Sequence, residues 1–439
     1  MISDIIQVKG GMPLVGTVKP AGFKHALVPI IAAAMMNDKE IIEISNAPNV
    51  EDTRVLLSVV ELLGGSVSKT ECGIQIDARN LRWSPIPDEV TGKIHGSLYL
   101  VVPMLARFGR VELGNSGGCQ IGAPNEGGRR PVRHVVEVLE RFGARFSEKQ
   151  HGLVGYADNL KACEIDILDF ASDTAGGASG PLVSGATKTA ILAAVASNGR
   201  TIIRNPYPKI DVVELLDLLE KVGVQIDRDA ERLVIEGKAN LRGATHELPS
   251  DLIEVVTYIA AAVYLKADIA IEITRLERVT FGLQAELNLL ASMGVEIRSR
   301  NGQIQVGASS VLAPQNITIS SHSIFSDSHP FFSLMLCLAS APSTIRDRVW
   351  VGRYDYAKQC LRLGADFTIY DDQLSIRPGR PWRRNQLVHG SDLRSTAVLC
   401  LAALGILGTT TISGVKHLSR GYADFVANLQ SLGANITYV

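Results

Sequence analysis

A cysteine in a glycine-rich loop is the residue of this sequence best placed for chemistry. Cys119 follows Gly117 and Gly118, and two arginines, Arg129 and Arg130, come soon after it. Nearby positive charge and backbone N–H groups stabilise a thiolate, which is the reactive form of cysteine near neutral pH. The remaining cysteines lie in apolar or strand-like stretches and are predicted to be ordinary small hydrophobic residues: Cys72, Cys163, Cys337, Cys360 and Cys400.

The composition is typical of a large protein with packed cores. At 439 residues and 46% hydrophobic content, the chain is long enough for two or more domains. The net charge of -1 and the lack of a long basic run argue against nucleic acid and a membrane surface as partners. The N-terminal residues do not resemble a secretory signal, and the apolar segments are too short to span a bilayer. The cysteines are scattered and include no CxxC pair, which argues against a metal site. We therefore expect a cytoplasmic protein with no bound metal, and leave its oligomeric state open.

One structural pattern, which must position these residues, occurs six times along the chain. Each copy contains an apolar helix, a strand and a second helix that ends at glycine, with a β-branched or aromatic residue within three positions of that glycine. The six glycines are Gly64, Gly143, Gly223, Gly294, Gly364 and Gly433. Glycine is favoured just after a helix because it adopts positive φ without strain. Copies about 70 to 80 residues apart indicate an internally repeated fold.

Three alanine-rich segments, 27–36, 188–196 and 256–264, are apolar on nearly every side. Helices of this kind belong in the middle of a domain rather than on its surface. We therefore predict an inside-out α/β barrel in each of two domains, with helices inside, sheets outside and three repeated βαβαββ-like units per domain.

The six copies divide evenly if the domain boundary lies near residue 248. The first predicted domain spans 22–248 and carries the Cys119 loop, and the second combines 1–21 with 249–439. A short N-terminal strand around 5–8 precedes the first repeat and is expected to pair with the far domain.

Six such repeats, with an early lysine and a Gly-Gly-Cys loop, resemble the enolpyruvyl transferases over essentially the whole chain. The resemblance is closer to the UDP-N-acetylglucosamine 1-carboxyvinyltransferases than to the 5-enolpyruvylshikimate-3-phosphate synthases. The motifs that carry it follow the family's order: 21–24, 117–119, 121–123, 130–132, 184–187, 325–327, 352–354, 392–394 and 420–422.

The resemblance implies transfer of the enolpyruvyl group of phosphoenolpyruvate to an acceptor hydroxyl, with release of phosphate. The reaction proceeds by addition and elimination through a tetrahedral intermediate, without a metal or organic cofactor. By motif, the phosphate would be held by Lys24, which the resemblance also counts as catalytic, and by Arg130 and Arg420. Arg353 and Arg394 would hold the carboxylate, which suits the bidentate geometry of guanidinium groups.

Two further residues match the family's acid and base. Cys119 corresponds to the cysteine that protonates the methylene carbon, assists phosphate release and is alkylated by the epoxide fosfomycin. Asp327 corresponds to the carboxylate that takes the proton of the acceptor hydroxyl. Asp327 also fits a helix N-cap before the apolar run 331–338, and the flanking His322 and His329 are expected to touch substrate or to pack. Since the cations come from both halves of the chain, substrates are expected to bind between the domains and draw them closed.

The acceptor side departs from the family pattern. His25 replaces the usual asparagine and Gly96 replaces an arginine. After Pro131 and Val132, where the family has an acidic residue near the uracil, this chain has Arg133 and then His134. About six extra residues at 124–129 leave open whether Arg129 or Arg130 is the family arginine. The predicted acceptor-binding residues, besides Asp327, are His25, Pro131, Val132, Arg133, Ser184 and Gly185.

Three functions are consistent with this pattern. The first is enolpyruvyl transfer to UDP-N-acetylglucosamine in peptidoglycan synthesis. The second is transfer to another acceptor, such as UMP, in the biosynthesis of a nucleoside natural product. A few missing polar contacts can change selectivity by ~10⁴–10⁵, so the departures are sufficient for a change of acceptor. The third is a non-catalytic, nucleotide-binding regulator on the same scaffold.

Overall fold

A computed structural model describes residues 4–121, 129–148, 152–175, 178–238, 240–307, 311–379 and 382–439. These residues form two compact units. The N-terminal unit consists of Phe23–Cys119 and Arg129–Leu248. The C-terminal unit consists mainly of Met1–Gly22 and Pro249–Val439. The extra residues 124–128 lie outside the described residues.

The helices of the N-terminal unit are α1 to α7, and those of the C-terminal unit are α8 to α14. Their bounds are α1 Lys24–Met36, α2 Glu51–Leu62, α3 Asp88–Thr91, α4 Val101–Phe108, α5 Arg133–Arg141, α6 Val183–Ala196, α7 Ile210–Lys221, α8 Leu252–Leu265, α9 Leu276–Gly282, α10 Gln284–Ser292, α11 His329–Leu336, α12 Asp355–Leu363, α13 Leu393–Leu404 and α14 Phe425–Ser431. Short 3-10 helices cover His95–Leu100, Ile167–Phe170 and Val415–Arg420.

The strands are numbered along the chain, with β1, β2 and β14 to β23 in the C-terminal unit. Their bounds are β1 Ile5–Gly10, β2 Val15–Val18, β3 Ile42–Ser45, β4 Ser66–Lys69, β5 Gly73–Asp77, β6 Arg110–Leu113, β7 Arg145–Glu148, β8 Leu153–Tyr156, β9 Glu164–Asp166, β10 Arg200–Arg204, β11 Ile226–Arg228, β12 Arg232–Glu236, β13 Ala244–Glu247, β14 Asp268–Glu272, β15 Glu296–Arg300, β16 Gln303–Gly307, β17 Asn316–Ile319, β18 Ser343–Asp347, β19 Asp366–Ile369, β20 Gln373–Arg377, β21 Leu387–His389, β22 Gly408–Ser413 and β23 Asn435–Tyr438.

Among the described residues, each unit contains three small sheets. The orders are β13-β3-β5-β4, β11-β12-β10-β9 and β6-β8-β7 in the N-terminal unit, and β21-β22-β1-β23, β15-β16-β14-β2 and β17-β18-β20-β19 in the C-terminal unit. Every four-stranded sheet joins one parallel pair of strands to two antiparallel pairs. The third N-terminal sheet has three antiparallel strands and one parallel bridge, Ile86 to Leu113. The same local arrangement is thus repeated through the chain.

The six helix-ending glycines confirm the sequence prediction. Their φ angles lie between 86° and 103°, the left-handed region that glycine occupies without strain. A strand begins two or three residues after each of them: β4, β7, β11, β15, β19 and β23. The glycine therefore ends each helix and turns the chain into the sheet.

Three helices form the centre of each unit. Helices α1, α4 and α6 contact one another in the N-terminal unit, and α8, α11 and α13 do so in the C-terminal unit. All residues of α11 and α13 are buried, and α1 leaves only His25 partly exposed. Apolar residues on all sides explain this burial, because a helix of that composition has no face that favours water. The three alanine-rich segments named from sequence lie within α1, α6 and α8.

The N-terminal strand β1 is part of the C-terminal unit, as predicted. It pairs antiparallel with β22 on one side and β23 on the other, with Ile6 opposite Ile412 and Tyr438. None of the helices in the described residues has both the length and the apolar character needed to cross a membrane.

Candidate active site

Three of the predicted site residues meet in the C-terminal unit. Arg353 donates through Nη1 to Oδ1 of Asp327 at 2.7 Å, and Arg394 donates through Nε to Oδ2 at 3.0 Å. Both guanidinium groups are buried, whereas the Asp327 side chain remains 22% exposed. Arg353 and Arg394, which are predicted to bind the substrate carboxylate, thus each contact one oxygen of Asp327, the predicted base.

The motif 392–394 has a structural explanation that sequence analysis missed. Asp392 is the N-cap of α13, and its Oδ1 accepts hydrogen bonds from the backbone N–H of Arg394 and Ser395. The same carboxylate lies 3.8 Å from Nη2 of Arg353. A capping aspartate therefore starts the helix that carries one arginine and also faces the other.

Arg394 is a buried cation with unused donors. Only 1% of the residue is exposed, its guanidinium carbon lies 5.1 Å from the centre of the Tyr422 ring, and neither Nη1 nor Nη2 has a hydrogen-bond acceptor among the described residues. Burial alone lowers the pKa of Arg394, but Tyr422, Asp327 and Asp251 more than compensate, so the pKa is raised. A buried charged guanidinium with two unused nitrogens is suited to an anionic ligand.

Two acidic residues at the start of α8 lie near Arg394. Asp251 caps α8 by accepting from the N–H groups of Ile253 and Glu254. Glu254 accepts a hydrogen bond from the N–H of Ala21 at 3.0 Å. Burial, and then the charge of Asp251, raise the pKa of Glu254 to about 8.

The N-cap interpretation of Asp327 is wrong. Helix α11 begins at His329, the residue at its N-cap position is Ser328, and Asp327 turns its carboxylate toward the two arginines. His329 is buried and packs against Tyr356, with its pKa lowered first by burial and then by Arg353. His322, by contrast, is exposed.

Arg420 is half-buried at the end of the 3-10 helix Val415–Arg420. Two residues later the chain places Tyr422 against Arg394. The motif 420–422 therefore contributes Arg420 and, through Tyr422, an aromatic ring that packs against Arg394.

In the N-terminal unit, Lys24 is the first residue of α1 and is 7% exposed. Its Nζ lies 3.1 Å from Oδ2 of Asp52, a residue in the first turn of α2 that sequence analysis did not single out. The next residue, His25, packs its ring edge-on against Phe23 with centroids 5.5 Å apart. The lysine ammonium therefore has a resident carboxylate partner.

The loop before Cys119 is held close to the segment 91–95. The N–H of Gly117 donates to the carbonyls of Thr91 and Ile94 at 3.1 and 3.2 Å. Gly118 has φ of 109°, and a Cβ there would come within 3.0 Å of His95. Both glycines are needed for this approach, which leaves the following Cys119 half-buried.

The residues after the insertion combine charge with a buried imidazole. Arg130 is half-buried, Pro131 is half-buried, and Val132 and Arg133 are exposed. His134 is 4% exposed, and its pKa falls to about 3 because of burial, then the charges of Arg130 and Arg133. The neutral imidazole packs so closely on Gly185 of α6 that a Cβ there would overlap its Nε2.

Ser184, one of the predicted acceptor residues, is tied to a buried ion pair that sequence analysis missed. It accepts a hydrogen bond from Nζ of Lys188 at 2.9 Å, and Lys188 in turn pairs with Asp211 of α7. Burial opposes the charge of Lys188, but Asp211 and Tyr99 outweigh it and raise its pKa. A lysine within an otherwise apolar helix was the available sequence signal.

The other cysteines mostly match the prediction. Cys360 and Cys400 are buried and Cys337 nearly so, and burial raises the pKa of all three, for Cys360 to about 12. Cys72 corrects the prediction, because it is exposed in the turn between β4 and β5 rather than packed with apolar residues.

A family model described as EPSP synthase (3-phosphoshikimate 1-carboxyvinyltransferase) matches residues 8–429. The chain therefore belongs to this family of carboxyvinyl transferases, and the enolpyruvyl transferase resemblance is confirmed. The chain is 31% identical to the UDP-N-acetylglucosamine 1-carboxyvinyltransferase of Methylorubrum populi, covering 99% of both chains. It is 30% identical to the UDP-N-acetylglucosamine 1-carboxyvinyltransferase 2 of Geobacillus kaustophilus, covering 99% of this chain and 96% of the relative.

Solved structures show the same relationship. The enolpyruvyl transferase NikO from Streptomyces tendae is 33% identical and superimposes with a TM-score of 0.92 over 99% of this chain and 98% of its own. EPSP synthase from Acinetobacter baumannii is 16% identical with a TM-score of 0.72, covering 99% and 100% of the two chains, which shows a shared fold.

Proposed function

We propose that this protein transfers the enolpyruvyl group of phosphoenolpyruvate to a hydroxyl of UDP-N-acetylglucosamine and releases phosphate. The observation that carries the proposal is the cluster of Asp327 with Arg353 and Arg394. It combines a partly exposed carboxylate with two buried, charged guanidinium groups, one of which has two nitrogens without acceptors among the described residues. A substrate that carries a carboxylate and a phosphate needs cations of this kind.

In the proposed addition step, Asp327 accepts the proton of the acceptor hydroxyl, and the oxygen bonds to the phosphate-bearing carbon of phosphoenolpyruvate. Cys119 donates a proton to the methylene carbon, which becomes a methyl group. In the elimination step, the Cys119 thiolate takes a proton back from the methyl group, the bond between the central carbon and the phosphate oxygen breaks, and the double bond returns. The phosphate leaves with the bonding electron pair and the proton that Asp327 had accepted. Lys24, Arg130 and Arg420 bind the phosphate, while Arg353 and Arg394 bind the carboxylate.

We also propose that each domain is an inside-out α/β barrel, with boundaries at 22–248 and at 1–21 plus 249–439. The three central helices that contact one another in each unit support this architecture. So does the recurring pairing pattern of the sheets.

A second acceptor, UMP, is favoured by the surroundings of Gly185. Arg133 places an exposed charge beside Val132, and both Arg130 and Arg133 are near enough to His134 to depress its pKa. This concentration of positive charge suits an acceptor with a terminal phosphate dianion. The other proposed acceptor contacts are His25, Pro131, Ser184 and Asp327.

Inorganic phosphate release from phosphoenolpyruvate, with UDP-N-acetylglucosamine and UMP as parallel acceptors, tests both proposals. Release with UDP-N-acetylglucosamine supports the first proposal and, with it, the place in peptidoglycan synthesis that the sequence resemblance implies. Release with UMP alone supports the second acceptor and refutes the first. No release with either, together with measurable nucleotide binding, would refute both and favour a non-catalytic regulator.

A further inference from the structure

Two buried carboxylates that have no part in the proposed reaction contact the residues around Asp327 in the C-terminal unit. Glu286 lies on α10 and Asp347 ends β18, and both are fully buried. Their contacts converge on the turn 325–328, in which Asp327 is the third residue. We propose that Glu286 and Asp347 are positioning residues, which hold this turn so that the Asp327 carboxylate faces the two arginines. The inference rests on the proposed role of Asp327 in the reaction.

Glu286 contacts the turn on both sides of Asp327. Its Oε1 accepts the backbone N–H of Phe325 at 2.6 Å and the hydroxyl of Ser328 at 3.1 Å. The turn is closed by a hydrogen bond from the N–H of Ser328 to the carbonyl of Phe325 at 2.9 Å. A buried N–H that loses its acceptor destabilises the fold, so the contacts of Glu286 stabilise this turn. One oxygen therefore fixes both ends of the turn.

Asp347 acts on the side chain next to Asp327. Its Oδ2 accepts the hydroxyl of Ser326, and its Oδ1 accepts the N–H groups of Val349 and Trp350 at 2.8 and 3.0 Å. Those two residues begin the turn that leads to Arg353. The contacts therefore tie the segment that carries the arginine to the segment that carries Asp327.

The direction of the hydrogen bonds of Ser326 shows how Asp347 affects Arg353 and Asp327. Since a hydroxyl has one proton and Ser326 donates it to Asp347, only its lone pairs remain to face Arg353. Nη1 of Arg353 donates to that oxygen at 3.3 Å and to Oδ1 of Asp327 at 2.7 Å. Removing either buried carboxylate should therefore misplace Asp327, although neither contacts a substrate in this proposal.

Glu214 offers a matched control. It is a fully buried glutamate on α7 of the N-terminal unit, and its Oε2 lies 2.8 Å from Nε2 of His246. Replacing it removes the same chemical group at the same burial in the other unit. A loss of stability without a loss of turnover at this position would represent a purely structural role.

The test compares Glu286→Met, Glu286→Gln and Glu214→Met in the full-length protein by phosphate release. Glutamine keeps an acceptor for Phe325 and Ser328, so we expect a kcat within about threefold of wild type. We expect Glu286→Met to lower kcat at least tenfold, and Glu214→Met to lower the melting temperature while changing kcat less than twofold.

A double-mutant cycle with Asp327→Asn separates positioning from general destabilisation. If Glu286 acts through Asp327, Glu286→Met should reduce kcat less than twofold further in the Asp327→Asn background. An equal loss in both backgrounds, or a folded Glu286→Met protein with unchanged kcat, would overturn the inference for Glu286.

Smaller deletions test the same contacts if Glu286→Met does not fold. Ser328→Ala removes one bond to Glu286, and Ser326→Ala removes the link between Asp347 and Arg353. Each should lower kcat at least threefold, and an unchanged kcat overturns the corresponding half of the inference. Wild-type protein that releases no phosphate with either acceptor refutes the proposed function instead, which keeps the two failures distinct.

Discussion

The substitution Arg394→Lys separates the effect of the bidentate guanidinium geometry from the effect of the positive charge. Lysine keeps a cation near Asp327 but cannot present two parallel N–H donors to a carboxylate. In the structure, Nε of Arg394 is committed to Asp327, while Nη1 and Nη2 have no acceptor among the described residues. We therefore expect the substitution to weaken phosphoenolpyruvate recognition more than it disturbs the cluster.

The size of the effect follows from the donors that are lost. A hydrogen bond to a charged group contributes about 1.5–3 kcal/mol, and solvent does not screen a guanidinium that is 1% exposed. If lysine recovers one of the two contacts, the net loss is one such hydrogen bond, roughly 1.5–3 kcal/mol. That corresponds to a fall of about 10- to 150-fold in kcat/KM for phosphoenolpyruvate.

The assay is phosphate release at varied phosphoenolpyruvate and saturating acceptor, with Arg298→Lys as the control. Arg298 is an exposed arginine of β15, paired with Glu296 at 2.9 Å, and such surface pairs contribute little. We expect kcat/KM of the control to stay within twofold of wild type. A change below fivefold for Arg394→Lys would show that its nitrogens do not bind the substrate carboxylate.

Three other predictions concern the N-terminal unit. Cys119→Ser should slow turnover severely and prevent inactivation by fosfomycin, and unchanged turnover would remove Cys119 from the mechanism. Gly185→Ala should destabilise the protein by about 1–3 kcal/mol in thermal unfolding because its methyl group would overlap His134, with recovery in the Gly185→Ala, His134→Ala double variant. Because the folded protein keeps His134 neutral, its contribution to stability is present above pH 6.5 and is lost as the pH falls. The wild type should lose about 2 kcal/mol more than His134→Asn between pH 7 and pH 5 in chemical denaturation, whereas equal losses would contradict the depressed pKa.

The repeated parts of the fold are predictable because their causes are local. A glycine that must adopt positive φ after an apolar helix, followed by strand-forming residues, indicates the helix end and the strand start without knowledge of the rest of the chain. The alanine-rich helices are predictable for a similar reason, since a segment that is apolar on all sides favours burial wherever it lies.

The residues around the candidate site show where sequence reasoning stops. Asp327 fits a helix N-cap by spacing alone, yet the structure gives that position to Ser328 and turns Asp327 toward Arg353 and Arg394. No local preference decides between a cap and an ion pair, because the two arginines come from later segments of the chain. The choice depends on which partners the fold brings within hydrogen-bond distance.

The supporting carboxylates are hidden from sequence for the same reason. Glu286 lies 39 positions before Phe325, the first residue of the turn that it holds. From sequence alone, a glutamate in a helix is expected on the solvent-exposed surface. Likewise, Lys188 acquires its role only because Asp211 lies beside it in the folded unit. Local composition and periodicity are enough to specify the chemical groups, the repeats and the helix ends of this protein. Which charge faces which partner is settled by packing, because burying a charge is favourable only where the fold supplies its counter-charge and hydrogen bonds.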